Sequence, residues 1–472
     1  MQAAEPLSAH VISPFVNQFV RETGVTHGDE SKTGYYAGVV GTVFLLAECF
    51  TVLLWGRASD RVGRKPILLM GMIGLSVSML WFGLSTQYPS LVLARAAQGV
   101  FNGNVGVSRN VIAEITDPSN VADAFAFIPV FLGIGQTAGP LIGGALSRPT
   151  EAWPRVFGRT GLLLEHPYLL PCLVTGFYSL LCFVLGSVYL KETLPTAHLW
   201  KKTGWRRHLG LKRPKRLLKR VNISKYAAIN TQPYHEDTEA LQQCDTTSDH
   251  YDQATRLNSS PIRDILVRPV ILSLITQAFQ GFTNQSFQLL LPLVYSTSIP
   301  LGGLGLDASA IGAILGTWGA IVAVFQLAFF ARSVRRFGAR AVFMFSYSAF
   351  FVSIGSYPVI NYFARKAGGI DAVVLTVLFI QMCAYVCSSM SYGSNQIFII
   401  SAVPAKEALA TTNAVSQLVN SLMRGIGQAV ASSLFSFSLQ HPSLFGGHSV
   451  YVVLLTFVFL GIFTSSKLPK TV

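Results

Sequence analysis

The chain has 472 residues, and only 12% of them are charged, against roughly 25% in a soluble globular protein. Hydrophobic residues make up 51%, and apolar runs of about 20 residues recur, long enough to cross a hydrocarbon core as helices. An ordinary soluble enzyme is excluded, and the net charge of +14 lies in loops between the runs, where it reads as topology and not as a nucleic-acid surface.

Twelve hydrophobic segments are predicted. The first, near 4–21, holds Pro6 and Pro14 and two ionisable groups, Glu5 and His10. The second, near 34–56, contains Glu48 and runs into "WGRASDRVGRKP", residues 55–66, with Asp60, Gly56, Gly63 and four basic side chains. The third and fourth lie near 66–86 and 89–113; the fourth holds "RAAQG" from Arg95 and, later, Arg109. The fifth, near 122–146, contains "GIGQTAGPLIGGALS" from Gly133, which sets Gly135, Gly139, Gly143 and Gly144 around Pro140. Glycines four apart clear one helix face for close packing, and a proline can bend the helix. The sixth, near 166–190, opens on "HPYLLP" and is followed by "ETLP" from Glu192.

A polar stretch, about 191–262, then divides the chain into six segments plus six. Residues 199–225 carry eleven Lys or Arg and no acid, and residues 231–260 read as a disordered linker. Basic loops stay in the cytosol. This stretch, the loops after segments 2, 4, 8 and 10, and both termini are therefore expected on the cytoplasmic side. Arg148, Arg155 and Arg159 after segment 5 weaken that asymmetry without reversing it. The sequons at Asn222 and Asn258 are expected to stay unglycosylated. His235, Glu236, Asp237, Cys244, Asp249 and His250 match no closed zinc spacing, so neither metal nor cofactor is expected. The other cysteines, Cys49, Cys172, Cys182, Cys383 and Cys387, lie in apolar runs and read as small hydrophobes.

The remaining segments lie near 268–296, 309–331, 341–363, 371–403, 409–438 and 448–466. On the seventh, Gln277, Gln280, Asn284 and Gln288 share a face, with Gln285 beside them. The tenth carries Tyr392, Asn395 and Gln396, and the eleventh Arg424. Such amides either meet a substrate or bond neighbouring helices; the expected substrate set is Gln277, Gln280, Asn284, Gln288, Tyr392 and Asn395. Two echoes link the halves. "FARSVRRFGARA", residues 330–341, repeats the loop after segment 2, with Gly338 for Gly63 and Arg335 for Asp60. "GIGQAVASSLFSFS" from Gly425 on segment 11 repeats the run on segment 5. Both pair segments six apart, as in an internally repeated transporter.

"GRASDRVGRKP" resembles the signature of the major facilitator superfamily, the twelve-helix secondary transporters. Its pattern G-x-x-x-D-x-x-G-R-[KR] is met by Gly56, Asp60, Gly63, Arg64 and Lys65. The resemblance implies an all-α membrane protein with twelve transmembrane helices in two six-helix bundles, residues 1–190 and 263–472, joined by a cytoplasmic loop. It also implies a gate: Gly56 admits a close neighbour, Asp60 faces the positive end of helix 11, and Arg61, Arg64 and Lys65 hold the loop in the cytosol. Topology alone is the competing account. "GQTAGPLIGG" resembles the family's antiporter motif, with Ala126 where the longer pattern has glycine; packing without antiport is its alternative. "RAAQG" is similar to a third signature, whose arginine is linked to proton transfer; snorkelling to the interface is the alternative for Arg95.

"AEPLS", "HPYLLP" and "ETLP" resemble a fungal branch related to the plant zinc-induced facilitator-like proteins and the drug:proton antiporters. There the first-helix acid is a proton carrier, which implies Glu5 with Arg95 or Arg424. Members of the branch carry more chain before this acid, so the N-terminal half of helix 1 is expected to lie outside this sequence; otherwise Glu5 falls near the cytoplasmic face. The implied function is proton-coupled antiport of a small molecule by alternating access, for export or organellar sequestration. The expected partners are the substrate, protons and the lipid bilayer, with the protein a monomer in the plasma or vacuolar membrane. A facilitator or symporter, or a non-transporting receptor, would share the fold. No GxSxG, HExxH or GxxxxGK[ST] element supports an enzyme.

Overall fold

A helix in lipid satisfies its own backbone groups, and breaks are tolerated only where protein or a cavity takes over the freed donors and acceptors. The computed structural model describes residues 1–116, 121–193, 267–402 and 409–468, all within one compact unit. The central stretch, with its basic run, both sequons and Cys244, lies outside the described residues.

Among the described residues every regular element is helical, and the helices form twelve spans. Nine are continuous: helix 2 (Thr33–Val62), helix 3 (Arg64–Leu84), helix 5 (Val121–Leu146), helix 6 (Leu169–Tyr189), helix 7 (Arg268–Ser296), helix 8 (Ala308–Phe337), helix 9 (Ala339–Ala367), helix 11 (Leu409–Gln440) and helix 12 (Ser449–Ser465). Three are interrupted: helix 1 (Ala4–His10 and Val16–Glu22), helix 4 (Tyr88–Asn102 and Val105–Ile115) and helix 10 (Ala372–Ser388 and Met390–Ser401). Helix 5 runs without a break in its helical assignment through Pro140. In helix 1 the break surrounds Pro14, which has no N–H to give, and the chain tightens through Ser13 N–H to His10 and Phe15 N–H to Ile12 carbonyls, both at 3.2 Å.

The two largest apolar cores mark two bundles. One gathers Val11, Phe15, Phe19, Val40, Phe82 and Tyr168 of the first half, and the other Phe287, Phe343, Phe350, Tyr357, Phe398 and Tyr451 of the second. The bundles also match in detail. Gly63 ends helix 2 and precedes helix 3 at φ 115° and ψ 157°, and Gly338 does the same between helices 8 and 9 at φ 78° and ψ 153°. A side chain rarely adopts such angles, so glycine sets both reversals. Gly135 of helix 5 lies against Pro6 and Leu7 of helix 1, and Gly427 of helix 11 against Phe282 of helix 7. Across the halves, helix 5 packs on helix 8 and helix 11 on helix 2. Each pairing maps onto the other by a shift of six helices, the pseudo-twofold relation the echoes predict.

Candidate functional site

The side bearing the 2–3 and 8–9 loops is here the basic face, and the opposite side, where helices 1 and 7 end, is the Arg21 face. A cavity of about 160 Å³ lies between the bundles, walled by helices 1, 2, 4, 5, 7, 8, 10 and 11. Its polar wall is built from His10 and Arg95 in the first half and Gln285, Gln288, Tyr385 and Arg424 in the second. Gln136 and Gln428, equivalent residues of the two echoed runs, also line it. Arg424 donates through Nε to Gln285 Oε1 at 3.0 Å, and Gln285 donates to Gln428 Oε1 at 3.4 Å. Gln288 donates to the Tyr385 hydroxyl at 3.1 Å. Arg95 is 5% exposed, bonds Gln98 Oε1 at 2.5 Å and lies 4.0 Å over the Phe44 ring, while its Nε has no partner. It faces the cavity and does not snorkel.

On the Arg21 face the halves are closed on one another. Arg21 donates to the Ser296 carbonyl at the end of helix 7 at 3.1 and 3.2 Å and pairs with Glu30 at 2.7 Å. Glu30 in turn accepts from Ser298 N–H at 3.0 Å. Small residues bring the helices together beneath this clamp. Gly34 and Gly38 of helix 2 meet Ser436 and Ser432 of helix 11, and Gly144 of helix 5 meets Gly312 of helix 8. The same clearing serves Gly135, Gly139 and Gly143, which lie on helix 1 at Pro6, His10 and Val11. Of the antiporter-like run, therefore, three glycines pack within their own bundle, Gly144 reaches across, and Pro140 lines the cavity.

Toward the basic face the close contacts thin out. A Cβ added at Gly425 would lie 3.8 Å from Leu45 and Leu46, and one added at Gly56 would meet nothing within 4 Å. Among the described residues no close neighbour meets the Gly56 position, where one was expected. The signature loop is held within its own half. Arg64 donates to Ser59 Oγ and Asp60 Oδ1, both at 2.6 Å, and to Glu114 Oε1 at 3.1 Å. Glu192 of "ETLP" accepts from the backbone N–H groups of Arg64 at 2.8 Å and Lys65 at 3.2 Å, an acid capping the start of helix 3. Lys65 donates to the Ser187 carbonyl at 2.8 Å, and Arg61 is exposed. The Asp60 side chain is 62% exposed and pairs with Arg64, where helix 11 was the expected partner.

The intramembrane acids form a second cluster beside the cavity. Asn102, 2% exposed, donates from Nδ2 to Glu5 Oε1 at 3.0 Å, and Glu48 is close enough for its charge to act on Glu5. Arg109 and Arg424 lie within electrostatic reach of both acids, and Arg95 of Glu48. Both carboxyl-bearing residues are half-buried. Glu48 and Asn102 fall near the middle of helices 2 and 4, so Glu5 sits at mid-depth and not near the basic face. Arg109 is half-buried, and its Nε is buried with no hydrogen-bond partner. Helix 4 breaks directly after Asn102; the freed Val100 carbonyl accepts from Trp55 Nε1 at 2.5 Å and Thr51 Oγ1 at 3.3 Å on helix 2.

Of the six residues expected to bind substrate, only Gln288 lines the cavity. Gln277 bonds Asn395 at 3.4 Å and Ser416 at 2.7 Å, and Gln280 bonds Ser391 at 3.1 Å, so these three tie helix 7 to helices 10 and 11. Asn284 is half-buried away from the cavity wall, and Tyr392 is 44% exposed. The sequence named Gln285 as a polar candidate on helix 7 but left it off the expected substrate set, and Tyr385 was hidden in an apolar run. It also passed over Asn102. The turn dipeptide Asn102–Gly103 inside an apolar segment was the signal for the break.

Comparison with known proteins agrees with this geometry. The Major Facilitator Superfamily profile matches residues 2–428, and the chain belongs to that family. It is a membrane transporter and not an enzyme. The major facilitator-type transporter psiT2 of Psilocybe cubensis is 27% identical, over 97% of this chain and 86% of that protein. The multidrug transporter mfsB of Aspergillus fumigatus is 27% identical, over 92% and 77%. Zinc induced facilitator-like 1 of Arabidopsis thaliana is 26% identical, over 98% and 88%. Among solved structures, a D-xylose–proton symporter superposes with a TM-score of 0.66 at 16% identity, over 100% of this chain and 97% of that one.

Proposed function

We propose that the protein exports or sequesters a small organic molecule in exchange for protons, by alternating access between the two bundles. The observation that carries this is the position of Arg424. It lines the cavity through Gln285 and lies within reach of Glu5 and Glu48, so substrate and proton act on one guanidinium. An ionisable group at this depth marks an ion or substrate path. Loops rich in Lys and Arg belong to the cytosol, which makes the basic face cytoplasmic and this state open to the cytoplasm. Residues 191–262 then form a cytoplasmic connection between bundles 1–190 and 263–472, with both termini inside and the monomer as the working unit.

On this reading the signature loop works when the basic face closes. Asp60, now exposed on Arg64, is free to meet the N-terminal end of helix 11, where a carboxylate is favoured by the helix dipole. Export is supported by the names of relatives, mfsB as a multidrug transporter and azaK of Aspergillus niger as an efflux pump. The test uses everted vesicles from cells expressing the chain, acidified inside, with a pH-sensitive dye. Addition of a transported member of a panel of amphipathic drug-like molecules should release protons from the lumen, and Glu5→Gln should not. Substrate movement without proton movement in the unmodified protein would leave a facilitator; proton movement in the same direction as substrate would make it a symporter.

A further inference from the structure

The wall of the central cavity carries charge of one sign. Arg95 and Arg424 line it together with His10 and four glutamines, and no Asp or Glu is among its lining residues. Glu5, close by, is held by Asn102 at 3.0 Å and is not part of the wall. Among the described residues neither cavity arginine forms an ion pair. Arg95 is 5% exposed; it donates to Gln98 Oε1 at 2.5 Å, lies over the Phe44 ring, and keeps a buried Nε without a partner. Arg424 is half-buried, and its one hydrogen bond among the described residues runs from Nε to Gln285 Oε1 at 3.0 Å. A guanidinium has five N–H donors and no acceptor, so most of these donors are unused. Arg64 shows what a structural arginine looks like in the same chain: it meets Ser59 and Asp60 at 2.6 Å and Glu114 at 3.1 Å.

The two cavity arginines also approach helix 2 at one turn, from opposite bundles. Phe44 lies under the Arg95 guanidinium, and the next residue, Leu45, is 3.8 Å from a Cβ added at Gly425, the neighbour of Arg424. We propose that the cavity takes an amphipathic organic anion, with a carboxylate head held between Arg95 and Arg424 and an apolar body against Leu289, Trp318 and Val322. The inference rests on the reading of this cavity as the transport site and deepens it by naming the charge of the substrate. A cation buried without a partner is costly, and a carboxylate accepts from a guanidinium through both oxygens. An anionic head therefore supplies the acceptors that the wall lacks. A cationic head would meet two like charges, and a neutral one would leave both guanidiniums uncompensated. Leu289, Trp318 and Val322, which also line the cavity, offer an apolar body a surface from which water is displaced.

The test is equilibrium dialysis of the full-length protein in phosphatidylcholine nanodiscs. The probes are radiolabelled naphthoate, naphthylmethanol and naphthylmethylammonium, which share one ring system and differ in charge. Naphthoate should bind about tenfold more tightly than the alcohol, and the ammonium more weakly than either. Arg424→Gln and Arg95→Gln keep donors but lose the charge, and each should lower the carboxylate-to-alcohol ratio to about twofold. Arg424→Lys, which keeps the charge, should retain most of the preference. If one glutamine variant is not monodisperse, the other carries the measurement. Equal affinities for the probes, a preference for the ammonium, or no binding of naphthoate would overturn the inference. So would a naphthoate preference unchanged in the arginine variants. Val322→Trp narrows the cavity and should weaken naphthoate binding; binding indifferent to it would overturn the cavity as the transport site, and this inference with it. No proton moves in the assay, so a failed charge preference leaves proton exchange to its own experiment.

Discussion

Pro6 on helix 1 and Phe282 on helix 7 each close on the equivalent glycine of the two echoed runs, Gly135 and Gly427. The residue before each differs: Glu5 in the first half, Gly281 in the second, where Asn420 and Arg424 of helix 11 fill the space. That exchange is typical of the two bundles. The first concentrates charge at mid-depth, with Glu5, Glu48, Arg95 and Arg109, while the second brings Arg424 and a set of neutral amides and hydroxyls. Charge in low dielectric responds strongly to a proton, whereas amides fix orientation and respond little. A duplicated architecture can therefore assign coupling to one copy and recognition to the other, with Arg424 between them.

The largest expected effect breaks that division at its charged end. Glu5→Gln or the double variant with Glu48→Gln should abolish substrate-driven proton movement, at least tenfold below the unmodified protein in vesicles. Next comes the seam that both copies share. An added Cβ at Gly144 would lie 2.7 Å from the Ala308 carbonyl, so Gly144→Val should prop the Arg21 face apart and lower transport about tenfold. Weakened transport at unchanged expression is the measurement.

Sharpening the recognition side should give intermediate numbers. Gln285→Leu removes the hydrogen bond to Arg424 and should raise KM roughly tenfold, with the proton-to-substrate ratio unchanged. A changed ratio would mean that coupling is not confined to the first copy. Arg21→Ala cuts the clamp onto helix 7 and should favour the state open on the Arg21 face several-fold, read as a longer distance between spin labels at Thr23 and Ile299. The smallest effect on transport belongs to Gln277→Leu. It should leave KM within about twofold but lower the melting temperature by a few degrees, because Ser416 and Asn395 lose a buried partner.

Much of this was legible from residue order. Apolar runs of spanning length gave the helix count because lipid admits little else, and Gly63 and Gly338 gave the reversals because few side chains tolerate their angles. The motif at Gly56–Lys65 and the two echoes gave the family and the duplication. The sequence also marked Arg95, Arg424 and Glu5 as costly and so meaningful. It misdirected on helix 7, where the regular face of Gln277, Gln280, Asn284 and Gln288 drew attention from Gln285. Periodicity shows which residues share a face but not what that face meets, and three-quarters of this one turns toward other helices or away from the cavity wall.

By itself, then, the order of residues determined the spans, their two-fold repetition, the glycine reversals and the scarcity of intramembrane charge. These are local properties, set by a backbone's need for internal hydrogen bonds and by the steric limits of single residues. Only the tertiary structure decided that Asn102 bonds Glu5, that Arg424 lines the cavity and takes Gln285 as its partner, and that Asp60 rests on Arg64 while Arg21 of the opposite face holds Ser296. Apart from the Asp60–Arg64 pair, those contacts join residues about 100 to 300 positions apart on different helices. Their partners are chosen by how bundles pack and by which of two faces is shut, and no stretch of sequence encodes either one alone.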